Sequence, residues 1–233
     1  MEAIDPAIVE CGVAVRARLG ESGCGDVYVV IPRPDGVLVG AVDGLGHGDE
    51  AALAATAAKS CLEAHGHEPI ETLLSSCHRT LRSTRGAVIS VATFDASRNS
   101  MAWVGVGNVQ GVLLRTSREG YREQTLLLRA GVVGSGVLPP TNAEVLPVTT
   151  GDTLILATDG IDRNFGRDLA AIQAPQHAAD SILARYAKKE DDALVLVVRY
   201  RGREAKRAKT HGAPATTERR RLRRKFQESA RSS

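Results

Sequence analysis

The chain has 233 residues and a hydrophobic content of 43%, enough for one globular domain with a sizeable core or for a domain with a tail. Aromatic residues make up only 3%, which requires an aliphatic core and disfavours a nucleic-acid platform built on base stacking. The sequence contains no apolar run long enough to cross a membrane and no secretory leader, which predicts a cytoplasmic protein without membrane contact.

The net charge of +3 hides an uneven distribution of charged residues. Residues 201–233 carry 12 basic and 3 acidic side chains, a net charge of +9, whereas the rest of the chain has a net charge of −6. We therefore predict a domain over residues 1–200, followed by a basic and disordered tail. A second interpretation stays open, in which the tail binds an acidic partner or nucleic acid.

In chain order, the hydrophobic pattern predicts strands, two helices, more strands, a helix and a last strand. Apolar or alternating runs bounded by Gly, Pro and Asn indicate the strands, and apolar residues at helical spacing indicate the helices. The predicted strands are 12–19, 27–31, 36–42, 86–94, 100–106, 109–115, 152–158 and 193–200. The predicted helices are 49–65, one that begins at Pro69, and 180–189. This order favours an α+β sandwich over a doubly wound nucleotide-binding fold, which needs regular βαβ alternation.

Acidic residues stand at three of the predicted strand ends. Asp43 follows the third strand and precedes a glycine-rich loop, Asp159 follows the seventh strand, and Asp191, beside Asp192, precedes the eighth. A buried carboxylate is costly unless something pairs with it. Each aspartate alone could be an ordinary turn or helix-cap residue. Together they predict a carboxylate-lined site for hard divalent cations, in which either residue of the final pair could face the metal.

Six short motifs, each beside an apolar strand, resemble in content and order those of the metal-dependent PPM (PP2C-type) serine/threonine phosphatases, and most closely their bacterial SpoIIE-like branch. The motifs are Cys24-Gly25-Asp26, Val42-Asp43-Gly44-Leu45-Gly46-His47-Gly48, Arg85-Gly86-Ala87, Val106-Gly107-Asn108-Val109, Thr158-Asp159-Gly160 and Lys189-Glu190-Asp191-Asp192. A lone Asp-Gly is common in hairpin turns, but the ordered set is far more specific. The resemblance covers about residues 10–200 and implies a PP2C-like αββα sandwich, with two antiparallel sheets flanked by helices.

The resemblance also implies two divalent ions, Mn²⁺ or Mg²⁺, at one end of the sandwich. It implies that Asp43 bridges both ions, that Gly44 binds one through its backbone carbonyl, and that Asp159 and Asp191 bind the other. Asp26 matches the first acidic position of the family and is expected near the ions, acting through water. Hydrolysis would then be direct, without a phosphoenzyme.

Two departures from the family pattern concern the groups that assist the metals. Relatives of the eukaryotic type place a histidine, proposed as a general acid, directly after the Asp-Gly motif, where this chain has Leu45. His47 is the remaining candidate in the loop for a catalytic role, although a lone loop histidine is commonly just exposed. Those relatives also hold phosphate with an arginine near the N-terminus, and neither Arg16 nor Arg18 can be matched to that position.

The first functional interpretation is a metal-dependent phosphatase for phosphoserine and phosphothreonine in proteins. The resemblance implies phosphorylated STAS-domain proteins of a stressosome as substrates and partners, so that the enzyme resets a bacterial stress-signalling switch, and we expect a monomer. Two alternatives stay open: a phosphatase of another anti-anti-sigma factor, and a pseudophosphatase that binds its partner without turnover. The presence of all the acidic ligands argues against the pseudophosphatase. Nucleic-acid binding is supported only by the tail.

Overall fold

The computed structural model of the protein describes residues 8–21, 23–118, 120–165 and 174–202. Within these ranges it contains eleven strands and three helices. The strands are β1 (Val9–Arg16), β2 (Asp26–Arg33), β3 (Gly36–Gly44), β4 (Ala87–Asp95), β5 (Ser100–Val106), β6 (Gln110–Ser117), β7 (Gly120–Thr125), β8 (Leu128–Arg129), β9 (Glu144–Pro147), β10 (Thr153–Ala157) and β11 (Ala193–Tyr200). The helices are α1 (Gly48–His65), α2 (Ile70–Leu81) and α3 (Pro175–Tyr186). Most of the predicted basic tail, residues 203–233, lies outside the described residues.

The strands form two sheets. Sheet I has the order β1-β11-β10-β6-β7 and is antiparallel throughout. Sheet II has the order β2-β3-β4-β5-β8, with β9 also pairing with β5, and it is antiparallel except for the short β5–β8 pair. The predicted α+β sandwich with two central sheets is confirmed, and the single parallel pair is an addition to it.

Three apolar layers hold the sandwich together, because both faces of each sheet are covered. Between the sheets, Leu196 of β11 and Val39 of β3 belong to one buried cluster. The next residues along these strands point outward, where Val197 packs with Ile182 of α3, and Leu38 packs beneath α1 and α2. Complete burial of such a side chain stabilises the fold by about 1.5–3 kcal/mol. This double burial explains why the central strands are continuous apolar runs.

The structure departs from the sequence-based elements mainly at the edges of the sheets and at the last helix. Strands β7, β8 and β9 were not predicted, since β7 is polar and exposed and the other two have only two and four residues. Helix α3 begins at Pro175, five residues earlier than predicted, because the fixed φ angle of proline suits the first helical position. It ends at Tyr186, three residues earlier than predicted.

Helix α3 also covers the outer edge of sheet I at β1. The side-chain oxygen of Gln176 accepts a hydrogen bond from the backbone N–H of Val13 (3.0 Å), and its amide nitrogen donates one to the carbonyl of Val13 (2.8 Å). Gly12 permits this approach, since a Cβ atom there would lie 2.2 Å from the backbone nitrogen of Gln176. None of the helices in the described ranges has both the length and the apolar character needed to span a bilayer.

Candidate active site

One end of the sandwich gathers the acidic residues singled out in the sequence. In sheet II, β3 ends where β2 begins, and the antiparallel register pairs Asp43 with Asp26. In sheet I, β10 ends just before Asp159, and β11 begins just after Asp191 and Asp192. The two sheets therefore bring carboxylates from four separate segments of the chain to the same end of the molecule.

Close backbone packing explains why glycine follows two of these aspartates. A Cβ atom at Gly44 would lie 2.1 Å from the carbonyl oxygen of Ala51 in α1, and one at Gly160 would lie 1.8 Å from that of Asp192. The N–H of Gly44 also donates to the carbonyl of Gly25 at 2.9 Å. The two Asp-Gly motifs are thus held in place by close packing against the backbone of Ala51 and of Asp192.

Asp43 lies in a strongly acidic environment. Burial, together with the charges of Asp159, Asp191 and Asp192, raises the pKa of Asp43 from 3.8 to about 7. Like charges and desolvation both disfavour the ionised carboxylate, whereas a nearby cation would favour it. The site therefore has the electrostatic character of one that takes up a positive ion.

Asp26 connects the two sheets beneath this cluster. Its side chain is buried, and burial followed by the charge of Asp43 raises its pKa well above the ordinary value. The hydroxyl of Thr158 opposes that rise by donating a hydrogen bond to Asp26 Oδ2 at 2.6 Å. The same hydroxyl accepts a hydrogen bond from the N–H of Leu194 at 2.8 Å. Asp26 is therefore fixed from sheet I although it belongs to sheet II.

The adjacent aspartates before β11 have different surroundings. Asp192 is buried, and its two carboxylate oxygens accept hydrogen bonds from the N–H groups of Arg18 (2.7 Å) and Gly25 (2.6 Å). Asp191 is only partly buried, and its pKa is raised by burial first and then by the charge of Asp159. Asp192 thus anchors the loop that precedes β2, which makes Asp191 the better candidate for a metal ligand.

Two residues near Asp159 had no role in the sequence-based prediction. The amide nitrogen of Asn108 donates to Asp159 Oδ2 at 2.8 Å, while its Oδ1 atom is buried and has no hydrogen-bond partner among the described groups. The ammonium of Lys188 donates to the backbone carbonyl of Asp159. The only sequence signal for Asn108 was its place in a Gly-Asn turn of a family-like motif.

The loop after Asp43 carries the two departures from the family pattern. Leu45 packs against the core between the sheets, so the position of the family histidine is occupied by an apolar side chain. His47 immediately precedes α1, its side chain is 74% exposed, and its Nδ1 atom lies 3.3 Å from Glu21 Oε1. A catalytic role for His47 stays a prediction.

The candidate site offers oxygen atoms, which are the type of ligand that hard divalent cations prefer. Within the described ranges, no three His, Cys, Asp or Glu side chains already stand close enough together to hold one ion. The candidate ligands are the carboxylates of Asp43, Asp159 and Asp191 and the carbonyl of Gly44, and Mg²⁺ and Mn²⁺ prefer such oxygen ligands.

Comparisons with known proteins agree with this architecture. Residues 33–201 match the family described as Stage II sporulation protein E (SpoIIE). Phosphoserine phosphatase RsbX of Bacillus subtilis (strain 168) is 24% identical over 174 residues, which cover 74% of this chain and 85% of RsbX. A solved structure from the bacterial stressosome, described as a modular system adapted to control secondary messenger signaling, is 28% identical with a TM-score of 0.71, covering 82% of this chain and 99% of that chain.

A crystal structure of RsbX in complex with magnesium is also similar. Its TM-score is 0.74 at 21% identity, and the match covers 83% of this chain and 96% of that chain. These matches confirm the resemblance predicted from the six motifs and the enzyme class that it implies, a phosphatase of the PP2C type. The chain belongs to the SpoIIE family, whose phosphatase domain is of the PP2C type.

Proposed function

We propose that this chain is a divalent-metal-dependent protein phosphatase that hydrolyses phosphoserine and phosphothreonine on STAS-domain proteins of a stressosome. The observation that carries the proposal is the acidic cluster at the strand ends, where Asp43 has a pKa raised to about 7 by burial and by other aspartates. In such a cluster the ionised carboxylates repel one another, and a cation bound among them would relieve that repulsion.

We assign the metal ligands as the family resemblance implies. Asp43 would bridge two ions, Gly44 would bind one through its carbonyl, and Asp159 and Asp191 would bind the other. Two bound Mn²⁺ or Mg²⁺ ions would offset the charge of a phosphomonoester dianion and activate water at neutral pH. Asn108 supports this assignment, because its hydrogen bond to Asp159 Oδ2 orients that carboxylate.

Two further residues are proposed to assist. Asp26, held by the hydroxyl of Thr158, would accept a hydrogen bond from water beside the ions. His47 would donate a proton to the leaving serine or threonine oxygen, and its exposed ring beside Glu21 could reach a substrate bound at the rim. Leu45 cannot donate this proton, because its side chain is apolar and packs on the core.

The substrate class rests on the relatives. The similar Bacillus subtilis protein is named a phosphoserine phosphatase, and another similar chain comes from a stressosome. A substrate that is a different anti-anti-sigma factor is the nearest alternative. A pseudophosphatase is the second alternative, and the retained acidic residues argue against it.

The test measures phosphate release from a phosphorylated STAS-domain protein, with and without Mn²⁺. The variants are Asp43→Asn and, as a matched control, Asp95→Asn at the opposite end of the sandwich. We expect release to require Mn²⁺, to be abolished by Asp43→Asn and to be retained by Asp95→Asn. A rate of phosphate release that is unchanged both without Mn²⁺ and in Asp43→Asn would refute the proposal. No release, combined with tight binding of the same phosphoprotein, would favour the pseudophosphatase.

A further inference from the structure

Arg85 lies beside the glycine loop that follows Asp43. A Cβ atom added at Gly46 would lie 3.2 Å from Arg85 Nε and 3.6 Å from the central guanidinium carbon. Gly46 has a φ angle of 109°, which favours glycine on its own account. Because Gly46 has no side chain, the Arg85 guanidinium has room next to the segment that contains the candidate metal ligands Asp43 and Gly44.

The backbone around Arg85 is fixed to this loop. The N–H of Leu45 donates to the carbonyl of Gly86 at 3.0 Å, directly after the candidate ligand Gly44. The N–H of Gly86 donates in turn to the hydroxyl of Thr84 at 3.0 Å, and Gly86 has a φ angle of 86°. The position of Arg85 relative to the acidic cluster is thus set by specific hydrogen bonds.

The charged end of Arg85 has a partner that it can exchange. Its Nη1 atom lies 2.7 Å from Glu50 Oε2 in the first turn of α1, and the two side chains are 58% and 68% exposed. Exposed ion pairs of this kind contribute little to stability. A phosphate dianion accepts two parallel, charge-assisted hydrogen bonds from a guanidinium, and its double negative charge attracts the arginine more strongly than the single charge of a carboxylate.

The arginines near the N-terminus are placed differently. Arg16 donates to the backbone carbonyl of Lys188, and the Arg18 guanidinium lies 3.9 Å from Glu21 while its N–H binds Asp192. The Arg16 side chain therefore contacts the segment between α3 and β11, and the Arg18 side chain contacts Glu21 in the loop after β1. Arg85 approaches from the side of α1 and β4.

We propose that Arg85 is a substrate-binding residue, whose guanidinium binds the oxygens of the substrate phosphate while Glu50 competes for it. This inference rests on the proposed function, because it assumes that a phosphomonoester binds at the acidic cluster. It adds a phosphate-binding group that the metal ligands do not supply.

The test uses p-nitrophenyl phosphate with Mn²⁺ and the full chain. Arg85→Ala should raise KM about tenfold, as expected for the loss of a hydrogen bond to a charged group, with a smaller change in kcat. Arg85→Lys should restore part of the affinity. Glu50→Gln should lower KM, because it removes the competing carboxylate. Arg98→Ala, which removes an exposed arginine paired with Asp95 at 3.7 Å, is the matched control and should leave KM unchanged.

A purely structural role for the Arg85–Glu50 pair gives a different result. Arg85→Ala and Glu50→Gln would then lower the melting temperature alike and leave KM unchanged, which would overturn the inference. A rise in KM for a phosphoprotein but not for p-nitrophenyl phosphate would also overturn it, since Arg85 would then contact the protein surface. Arg85→Lys and Glu50→Gln keep the test decisive if Arg85→Ala does not fold.

A binding measurement separates this inference from the proposed function. Inorganic phosphate is titrated into the full chain by calorimetry in the presence of Mg²⁺, for the native protein, Arg85→Ala and Arg98→Ala. About tenfold weaker binding in Arg85→Ala alone supports the inference, whether or not the native chain hydrolyses phosphomonoesters. Equal binding by all three proteins overturns it. Failure of the native chain to hydrolyse any phosphomonoester would refute only the proposed function.

Discussion

The two ends of the sandwich use aspartates in opposite ways. At the end of β4, Asp95 accepts hydrogen bonds from the Ser97 hydroxyl (2.6 Å) and from the N–H groups of Ser97 (2.8 Å) and Arg98 (3.1 Å). The Ser97 hydroxyl is the main cause that lowers the pKa of Asp95. At the opposite end, on the neighbouring strand, Asp43 has a pKa raised to about 7. Both residues end an apolar strand, yet one has local hydrogen-bond donors and the other faces carboxylates.

This difference shows that an acidic residue at a strand end does not by itself indicate a functional site. Asp95 serves its own turn, whose donors come from the next three residues. Asp43 is distinguished by residues distant in sequence, since the charges that raise its pKa belong to Asp159, Asp191 and Asp192. The informative feature is the convergence of several aspartates from distant parts of the chain, and the following predictions test that convergence.

The largest expected effect is the pH dependence of stability without metal. The pKa of Asp43 is about 7 in the folded state and near 3.8 when unfolded, so the folded protein binds the proton more tightly between these values. Stability should therefore fall as the pH rises from about 4 to about 7. At about 1.4 kcal/mol per pKa unit, the change is at most about 4 kcal/mol.

Urea unfolding of the metal-free native chain and of Asp43→Asn, across this pH range, isolates the contribution of that carboxylate. Asp43→Asn should show a clearly shallower fall, because it cannot bind the proton. Asp95 contributes with the opposite sign, since its lowered pKa adds stability that is lost as the pH falls through the folded value. Equal pH profiles for the native chain and Asp43→Asn would show that the pKa of Asp43 is not raised in the folded state, and the difference from Asp95 would then not hold.

The second effect is stabilisation by the metal. A cation that binds only the folded state, at a hundred times its dissociation constant, stabilises it by about 2.7 kcal/mol. Adding Mn²⁺ should therefore raise the melting temperature of the native chain and of Asp95→Asn, while Asp43→Asn should lose most of the increase. Thermal unfolding followed by circular dichroism measures it. An equal increase in Asp43→Asn would place the cation elsewhere.

The smallest effect concerns the residue that orients a ligand. Asn108→Ala removes the hydrogen bond to Asp159 Oδ2 and should lower the phosphatase rate about 10–100-fold, a typical cost of losing such a contact. The matched control is Asn99→Gly at the opposite end, where Asn99 accepts a hydrogen bond from the Tyr200 hydroxyl at 2.8 Å. Asn99 has a φ angle of 49°, which glycine tolerates. Equal rates for Asn108→Ala and the native chain would show that Asn108 is not needed to orient Asp159 for the reaction.

The sequence was sufficient to predict the sandwich and the acidic end, because buried strands are continuous apolar runs and Asp43 and Asp159 follow two of them directly. It could not separate Asp191 from Asp192. That distinction depends on the backbone N–H groups of Arg18 and Gly25, which lie far away in sequence and meet Asp192 only after both sheets have formed.

Other features had no local signal in the sequence. Asn108 acquires its partner Asp159 only because β6 pairs with β10, and nothing in a Gly-Asn turn indicates that pairing. The edge strand β7 is polar and exposed, so it lacks the hydrophobic pattern that identified the central strands. The roles of the candidate ligands remain predictions, although the fold brings their strand ends together.

The contact between Gln176 and β1 has a consequence for how molecules of this protein behave toward one another. An edge strand with free backbone N–H and C=O groups can recruit a strand from a neighbouring molecule and begin aggregation. The side-chain amide of Gln176 occupies both groups of Val13, as a paired strand would. Helix α3 therefore protects this edge of sheet I as well as covering the core, and we expect variants that loosen it to self-associate before they unfold completely.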